Sequence, residues 1–180
     1  MLYILSMEYT SIGKNDLKIS KFALGTWPFA GGELWGDQDD NDSIEAVMEC
    51  YENGINFFDT APGYGDGRSE EVLGKAVKNI RNSIIIGTKI PPADLGKRNL
   101  SISVEKSLKR LGTDYIDLMQ IHWPNHDIPI DETTNELENL IKSGKVTEIG
   151  VSNFGLKDMT EILDELDIVT NQLPYNAFWR

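Results

Sequence analysis

The amino-acid sequence predicts a parallel α/β barrel, and three observations support this fold class. Apolar stretches typical of buried strands alternate along the chain with stretches whose apolar residues recur at helical spacing. Three glycines, Gly54, Gly112 and Gly144, stand just past predicted helices, where a left-handed backbone conformation ends a helix. Polar and ionisable residues follow the strand-like stretches, which is the pattern expected where parallel strands converge on one face.

The predicted elements begin with a β-hairpin, whose turn is the sequence Gly-Lys-Asn-Asp at residues 13–16. About six strands and five helices then alternate. The strands are expected at residues 22–25, 55–58, 83–88, 115–121, 146–151 and 168–172. The helices are expected at residues 42–53, 69–77, 100–111, 133–142 and 156–166. Ser69 is the expected N-cap of the second helix, and right-handed crossovers between strands would make the sheet parallel.

The amino-acid composition makes some classes of binding partner unexpected. The 180-residue chain has 17 Lys and Arg residues against 29 Asp and Glu residues, which gives a net charge of −12. No cluster of basic residues stands out, so neither nucleic acid nor an anionic membrane is an expected partner. No apolar stretch approaches the ~20 residues that a membrane-spanning helix needs. We therefore expect a globular, soluble protein of one domain.

The single cysteine bears on the cellular location of the protein, and the first residues bear on where the domain begins. Cys50 lies beside apolar residues in an expected helix, which favours a packed thiol over a nucleophile and fits a reducing, cytoplasmic setting. The apolar start, residues 1–6, has no basic flank and is too short for a signal peptide. We expect residues 1–8 to be a leader or a mis-assigned start, with Met7 as the alternative first residue.

A tyrosine, a lysine and an aspartate form the first candidate group. Tyr64 lies between two glycines that allow a tight turn, Lys89 follows three isoleucines and a short Gly-Thr step, and Asp59 ends another strand-like stretch. A tyrosine in such a loop is more often a packing or surface residue, and an aspartate there is often a turn or cap residue. A lysine at the inner end of a strand, however, must pair with an anion or face a polar cleft.

The lysine leads to an expectation about the tyrosine. At about 4 Å and an effective dielectric constant of about 20, an ammonium group stabilises a phenolate by about 4 kcal/mol. We therefore expect the pKa of Tyr64 to fall from about 10 toward about 7. Asp59 would offset part of this effect by pairing with Lys89, while keeping the lysine charged and oriented.

Polar residues at three further strand ends complete the candidate site. His122 can hydrogen-bond a substrate oxygen, although a histidine at such a position is more often a satisfied core residue. Asn153, beside Ser152, has the amide donors and acceptor that match a carboxamide ligand, but the two residues are as well suited to cap the next helix. Gln172, at the end of the sixth expected strand, likewise has amide donors and an acceptor. Two histidines and one cysteine without ligand spacing give no support for zinc, and no GxGxxG motif supports a Rossmann site.

Five motifs, in this order and at compatible spacing, resemble those of the aldo-keto reductases. They are FDTAPGYG at residues 58–65, GTK at 87–89, QIHW at 120–123, GVSNF at 150–154 and NQ at 171–172. The LGTW sequence at residues 24–27 and the N-terminal hairpin also fit. The resemblance extends over the chain from about residue 9 onward, and it is the ordered set of motifs that makes it specific.

The resemblance implies a parallel (β/α)8 TIM-type barrel, of which residues 1–180 would be the N-terminal two-thirds, a domain incomplete at its C-terminus. It implies reduction of an aldehyde or ketone to an alcohol by hydride transfer from NADPH. Tyr64 matches the proton donor, Asp59 and Lys89 the groups that tune it, and His122 the residue that orients the carbonyl. Ser152, Asn153 and Gln172 match the contacts to the nicotinamide carboxamide. Thr26 and Trp27 match the loop beside the cofactor and substrate.

Other functions stay open alongside the enzyme. One is a non-catalytic binding or regulatory subunit, as the β subunits of voltage-gated potassium channels are within this family, and another is an inactive fragment. The presence of all four chemical residues favours the enzyme. Three tryptophans, Trp27, Trp35 and Trp123, suggest an aromatic-walled substrate mouth but do not identify the substrate.

Overall fold

The computed structural model describes residues 6–178 and begins with the expected hairpin. Strands β1 (Tyr9–Ile12) and β2 (Leu17–Ser20) pair antiparallel. Gly13 and Asp16 in the turn have positive φ angles of 72° and 55°. Most of the expected leader, residues 1–5, lies outside the described residues, whereas Glu8 accepts a backbone hydrogen bond from Lys21 and so extends the hairpin pairing.

Six parallel strands form one curled sheet in chain order, as the alternating pattern predicts. They are β3 (Ala23–Gly25), β4 (Phe57–Asp59), β5 (Ile85–Ile90), β6 (Ile116–Ile121), β7 (Val146–Ser152) and β8 (Asn171–Gln172). The register places Asp59 beside Gly25 and Gly87, and Lys89 beside Gln120. The carboxyl ends of neighbouring strands therefore lie at one level, where their side chains can meet.

Helices connect successive strands of the sheet. They are α1 (Gly32–Trp35), α2 (Asp40–Glu52), α3 (Arg68–Val77), α4 (Lys97–Leu111), α5 (Ile130–Lys142) and α6 (Leu156–Leu163). Short 3₁₀ turns lie at Trp27–Ala30, Arg81–Ser83 and Pro92–Asp94. The glycines expected at helix ends have positive φ angles, 90° at Gly54, 64° at Gly112 and 75° at Gly144. Among the described residues, no helix has the length and apolar character needed to cross a bilayer.

Several boundaries differ from the sequence-based expectation. Ser69 is not an N-cap: α3 begins at Arg68 after Gly67, and the buried Ser69 hydroxyl bonds neighbouring strand ends instead. Helix α5 starts three residues earlier than expected, and α6 ends three residues earlier. The last strand is regular only at residues 171–172. Its pairing nevertheless starts earlier, because Val169 N donates to Ile149 O.

The core lies between the sheet and the helices that cover it. Strand residues such as Phe58, Ile86 and Met119 are buried against apolar faces of the helices, including Leu73 and Leu137. This packing fixes the strands against α3, α4 and α5, and thereby fixes the polar residues at the strand ends. Cys50 packs at the edge of this core, and burial raises the pKa of its thiol, in agreement with a packed rather than a nucleophilic cysteine.

Candidate active site

A buried ion pair lies at the carboxyl ends of β4 and β5. Lys89 is 2% exposed, and its Nζ donates to the two carboxylate oxygens of Asp59 at 2.9 and 2.8 Å and to the carbonyl of Thr60 at 2.9 Å. Gln120 on β6 also donates to Asp59, with 3.3 Å between Nε2 and Oδ1. The Asp59 carboxylate is thus engaged with the lysine rather than with a turn or helix cap.

Tyr64 lies in the loop between β4 and α3, with its hydroxyl beside this pair. Lys89 Nζ donates to the Tyr64 oxygen at 3.4 Å, the longest of the four contacts that the ammonium makes. The following Gly65 has a φ of 63°, and a Cβ there would lie 3.0 Å from the backbone of Ala30. The tight loop that carries Tyr64 therefore needs glycine at position 65, which explains one of the two glycines beside the tyrosine.

The expectation of a lowered Tyr64 pKa is wrong. Burial, followed by the negative charge of Asp59, raises the pKa of Tyr64 to about 12. The ammonium of Lys89 does not act as a lone cation, because Asp59 neutralises it through two shorter contacts. Burial lowers the pKa of Lys89 itself, while Asp59 acts in the opposite direction. Tyr64 is consequently protonated at neutral pH, which is the state that a proton donor requires.

His122, just past β6, places its ring beside the Tyr64 ring. The two ring centroids are 6.1 Å apart in an edge-on arrangement, and the imidazole is half-buried. Burial and then the Lys89 charge lower the pKa of His122 from its ordinary value. At pH 7 the imidazole is therefore neutral, with one nitrogen as donor and the other as acceptor. Tyr64 and His122 together can present two hydrogen-bond donors to one ligand oxygen.

The polar residues at the carboxyl ends of β7 and β8 are linked to one another. Asn153 Nδ2 donates to His122 O at 3.0 Å and to Ser152 Oγ at 2.9 Å, and the Ser152 hydroxyl donates to Gln172 O at 3.1 Å. Asn153 has a φ of 63°, a left-handed conformation that asparagine tolerates. Gly155 is the residue before α6, so neither Ser152 nor Asn153 caps that helix. The Asn153 and Ser152 side chains and the backbone carbonyl of Gln172 thus form one hydrogen-bonded group at adjacent strand ends.

The two candidates from the first strand end occupy different positions. Thr26 is fully buried, and its hydroxyl bonds Ser69 Oγ at 2.7 Å and the carbonyl of Asp59 at 3.0 Å. Trp27 is half-exposed, and its ring stacks on Tyr64 with centroids 5.6 Å apart while the edge of Trp35 contacts it. Trp27 and Trp35 thus form an aromatic wall beside Tyr64, and Thr26 lies under the wall and supports Asp59.

Three buried polar residues near the site were not predicted as site residues: Gln120, Ser69, which was expected only as a helix cap, and Glu70. A signal for Gln120 was present, because the strand register places it opposite Lys89. For Ser69 and Glu70, the signal was two polar residues directly before the apolar face of a helix. Their contacts cross to other elements, and the periodicity of a single helix does not reveal such contacts.

Outside this site, His126 Nε2 and Asp158 Oδ1 lie 2.7 Å apart at the rim of a cavity of about 250 Å³ between the β6–α5 loop and α6. None of the candidate residues contributes to that cavity. Within residues 6–178, no group of three or more His, Cys, Asp or Glu side chains is arranged to hold a metal ion.

Comparison with known proteins gives a consistent result. Residues 21–180 match the model of the aldo/keto reductase family. The chain is 42% identical over 184 residues to the aldo-keto reductase YhdN of Bacillus subtilis, a match that spans 97% of the chain and 55% of that protein. It is 34% identical to a probable voltage-gated potassium channel subunit beta of Arabidopsis thaliana, over 97% of the chain and 57% of that protein.

A solved structure extends the likeness to the fold. The aldo/keto reductase from Klebsiella pneumoniae in complex with NADP and acetate superposes with a TM-score of 0.85 at 31% identity, over 94% of this chain and 59% of that one. The chain therefore spans somewhat more than half the length of the relatives it matches. From the family match, the sequence identity and the shared sheet, the chain belongs to the aldo/keto reductase family.

Proposed function

We propose that this chain supplies the catalytic group and the nicotinamide contacts of an NADPH-dependent reductase that converts an aldehyde or ketone to an alcohol. The observation that carries the proposal is the contact between Lys89 Nζ and the Tyr64 oxygen. An ammonium group has no acceptor, so the phenolic proton cannot be directed at Lys89. It is available to a ligand oxygen on the open side of the ring, where His122 and Trp27 also lie.

The chemistry of the polar residues after β7 and β8 fits a nicotinamide carboxamide. Such a group needs an acceptor for its NH2 and a donor for its carbonyl, and Ser152, Asn153 and Gln172 contain hydroxyl and amide groups of both kinds. The Klebsiella relative was solved with NADP, which supports the same cofactor here. When bound, NADPH supplies the hydride, and the protein supplies binding and orientation.

The proposed proton transfer runs from Tyr64 to the substrate oxygen. As negative charge develops on that oxygen, the phenol donates its proton, and His122 donates a second hydrogen bond. A pKa of about 12 makes the resulting phenolate a weaker base than an alkoxide, so the transfer is favourable. Lys89, at 3.4 Å, then stabilises the phenolate, and Asp59 holds the lysine in place. The aromatic wall of Trp27 and Trp35 would border the substrate.

The test is Tyr64→Phe in the natural full-length protein. Phenylalanine keeps the ring stacked on Trp27 but has no proton to donate, so reduction should fall by about 10²-fold or more. Tyr115→Phe is the matched control, because Tyr115 packs under Arg81 and outside the site. Both variants should bind NADPH as the wild-type protein does in a fluorescence titration.

A loss of less than about tenfold, roughly 1.4 kcal/mol of activation free energy, would mean that another group donates the proton. Binding of NADPH with no reduction of any aldehyde or ketone by the wild-type protein would instead favour a binding or regulatory subunit.

A further inference from the structure

The first turn of α3 contains two consecutive polar residues that are completely buried. Ser69 and Glu70 each have an exposed fraction of 0%. The Ser69 hydroxyl contacts the Thr26 hydroxyl at 2.7 Å and the Thr60 hydroxyl at 3.0 Å. One helical turn thus hydrogen-bonds residues at the carboxyl ends of β3 and β4, directly after the loop that carries Tyr64.

Glu70 extends these contacts to β5 and α4. The Thr88 hydroxyl donates to Glu70 Oε1 at 2.6 Å, and Arg110 Nε donates to Oε2 at 2.6 Å. Gly67 allows the arginine to approach, since a Cβ there would lie 2.4 Å from Arg110 Cδ. A buried carboxylate is costly unless its oxygens are paired, and here both oxygens of Glu70 have a donor.

The position of Thr88 connects this cluster with the site. Thr88 immediately precedes Lys89 on β5, and side chains alternate between the two faces of a strand. Glu70 therefore bonds the outer face of β5 one residue from the lysine that contacts Tyr64 on the inner face. The same helix follows the Tyr64 loop, so one carboxylate joins the two chain segments whose separation sets the Lys89–Tyr64 contact.

The charged and titratable groups around Lys89 come from several elements. Asp59 lies on β4, Tyr64 in the loop after it, and His122 just past β6. Glu70 acts from α3, behind the strand. Its charge raises the pKa of Lys89, as that of Asp59 does more strongly, against the larger effect of burial.

We propose that Glu70 is a positioning residue for the proton donor: it holds the Tyr64 loop against β5 through Thr88, one residue from Lys89. This inference rests on the proposed function for its catalytic meaning, because Glu70 does not reach the open side of Tyr64. Arg110 pairs with the Glu70 carboxylate and completes the cluster.

The test compares Glu70→Gln with Glu71→Gln. The two variants remove the same charge from adjacent residues of one helix, but Glu71 is exposed. The readout is the pKa of Lys89 from NMR titration of ¹³C-labelled lysine side chains, with the Lys89 signal identified by its loss in Lys89→Met. Glu70→Gln should lower the Lys89 pKa by about half a unit or more, and Glu71→Gln should leave it in place.

Two outcomes of this comparison would overturn the proposal: no shift in a folded Glu70→Gln protein, or the same shift in both variants. A merely structural role would lower the unfolding temperature without moving the Lys89 titration. The measurement needs neither cofactor nor substrate. A protein that shows the shift but reduces no carbonyl would therefore refute the proposed reaction and leave the positioning role standing.

If Glu70→Gln does not fold, a second pair of variants tests the positioning role of Glu70. Thr88→Val removes the hydroxyl that donates a hydrogen bond to Glu70. Thr133→Val removes an equally buried hydroxyl, which donates to Leu95 O at 3.0 Å, away from the site. Thr88→Val should displace the Lys89 Cε resonance, and Thr133→Val should not. Equal displacement in the two variants, or none in either, would contradict the role of Glu70.

Discussion

The two ends of the six-stranded sheet each contain a buried ion pair, and the pairs differ in what surrounds them. At the amino end, Arg81 Nη2 donates to Asp117 Oδ2 at 2.7 Å. At the carboxyl end, Lys89 Nζ donates to Asp59 Oδ2 at 2.8 Å. Both cations are shielded from solvent, so burial and charge alone do not distinguish a structural pair from the pair that we propose supports catalysis.

The pair at the amino end is enclosed by further contacts. Arg81 also donates to Thr113 Oγ1 and to the carbonyls of Ile84 and Tyr115, and Asp117 accepts the backbone N–H of Ile86 at 2.9 Å. Burial raises the pKa of the Asp117 carboxyl despite the arginine. These groups hold strand ends together.

The N-terminal hairpin covers the same end of the sheet. The backbone N–H and the Nδ2 of Asn15 donate to Glu148 Oε1 at 2.8 and 3.0 Å, and Glu148 is a buried residue of β7. At the carboxyl end, by contrast, the pair contacts a half-buried tyrosine beside a half-buried histidine. A buried pair can therefore serve chemistry where it supports a group that a ligand can still reach.

The first prediction exchanges one cation at each end for methionine. Lys89→Met should reduce carbonyl reduction by about 10²–10⁴-fold in folded protein, because the phenolate formed at Tyr64 loses its cation. Arg81→Met should lower the free energy of unfolding by about 3–5 kcal/mol, because it leaves the Asp117 carboxyl buried without its cation. Steady-state kinetics and denaturant unfolding of both variants measure the two effects.

The comparison fails if the two variants behave alike. A large fall in the turnover number of folded Arg81→Met, or normal turnover in Lys89→Met, would show that the chemistry is not confined to the carboxyl end.

A smaller effect concerns pH and His122. Its pKa is lowered in the folded protein, so the neutral imidazole favours folding. This contribution is fully present above the unfolded pKa of about 6.5 and is lost as the pH falls through the folded value. Acidification from about pH 7 to about pH 5 should therefore destabilise the wild-type protein more than His122→Gln. Denaturant unfolding at the two pH values measures the difference, and equal losses in both proteins would contradict it.

Much of the fold follows from local signals in the sequence. Alternating strand and helix patterns, and glycines that end helices at Gly54, Gly112 and Gly144, were sufficient for the order of the parallel strands. The segment at α1 gave no apolar periodicity, and this short helix was missed. The last strand was assigned too long because an apolar run does not show where regular pairing starts, which here is at Asn171.

The position of the candidate site could be predicted from the sequence, but its electrostatics could not. Strand ends converge by topology, so Asp59, Lys89 and His122 were expected together, and the structure brings them together around Tyr64. The direction of the Tyr64 pKa depends first on how deeply the phenol is buried and then on the nearby Asp59 charge, and no sequence pattern encodes either. The buried role of Glu70 likewise depends on contacts between α3, α4 and β5.

The central claim is that burial and the Asp59 charge keep Tyr64 a protonated phenol, while Asp59 neutralises the nearby Lys89. The most direct measurement is an ultraviolet difference titration of the wild-type protein against Tyr64→Phe, which isolates the phenolate signal of this one residue. We predict a Tyr64 pKa of about 12, so that the difference signal is absent at neutral pH and develops only in strong alkali. A Tyr64 pKa at or below the ordinary value of about 10 would contradict the account, because Lys89 would then act as an uncompensated cation.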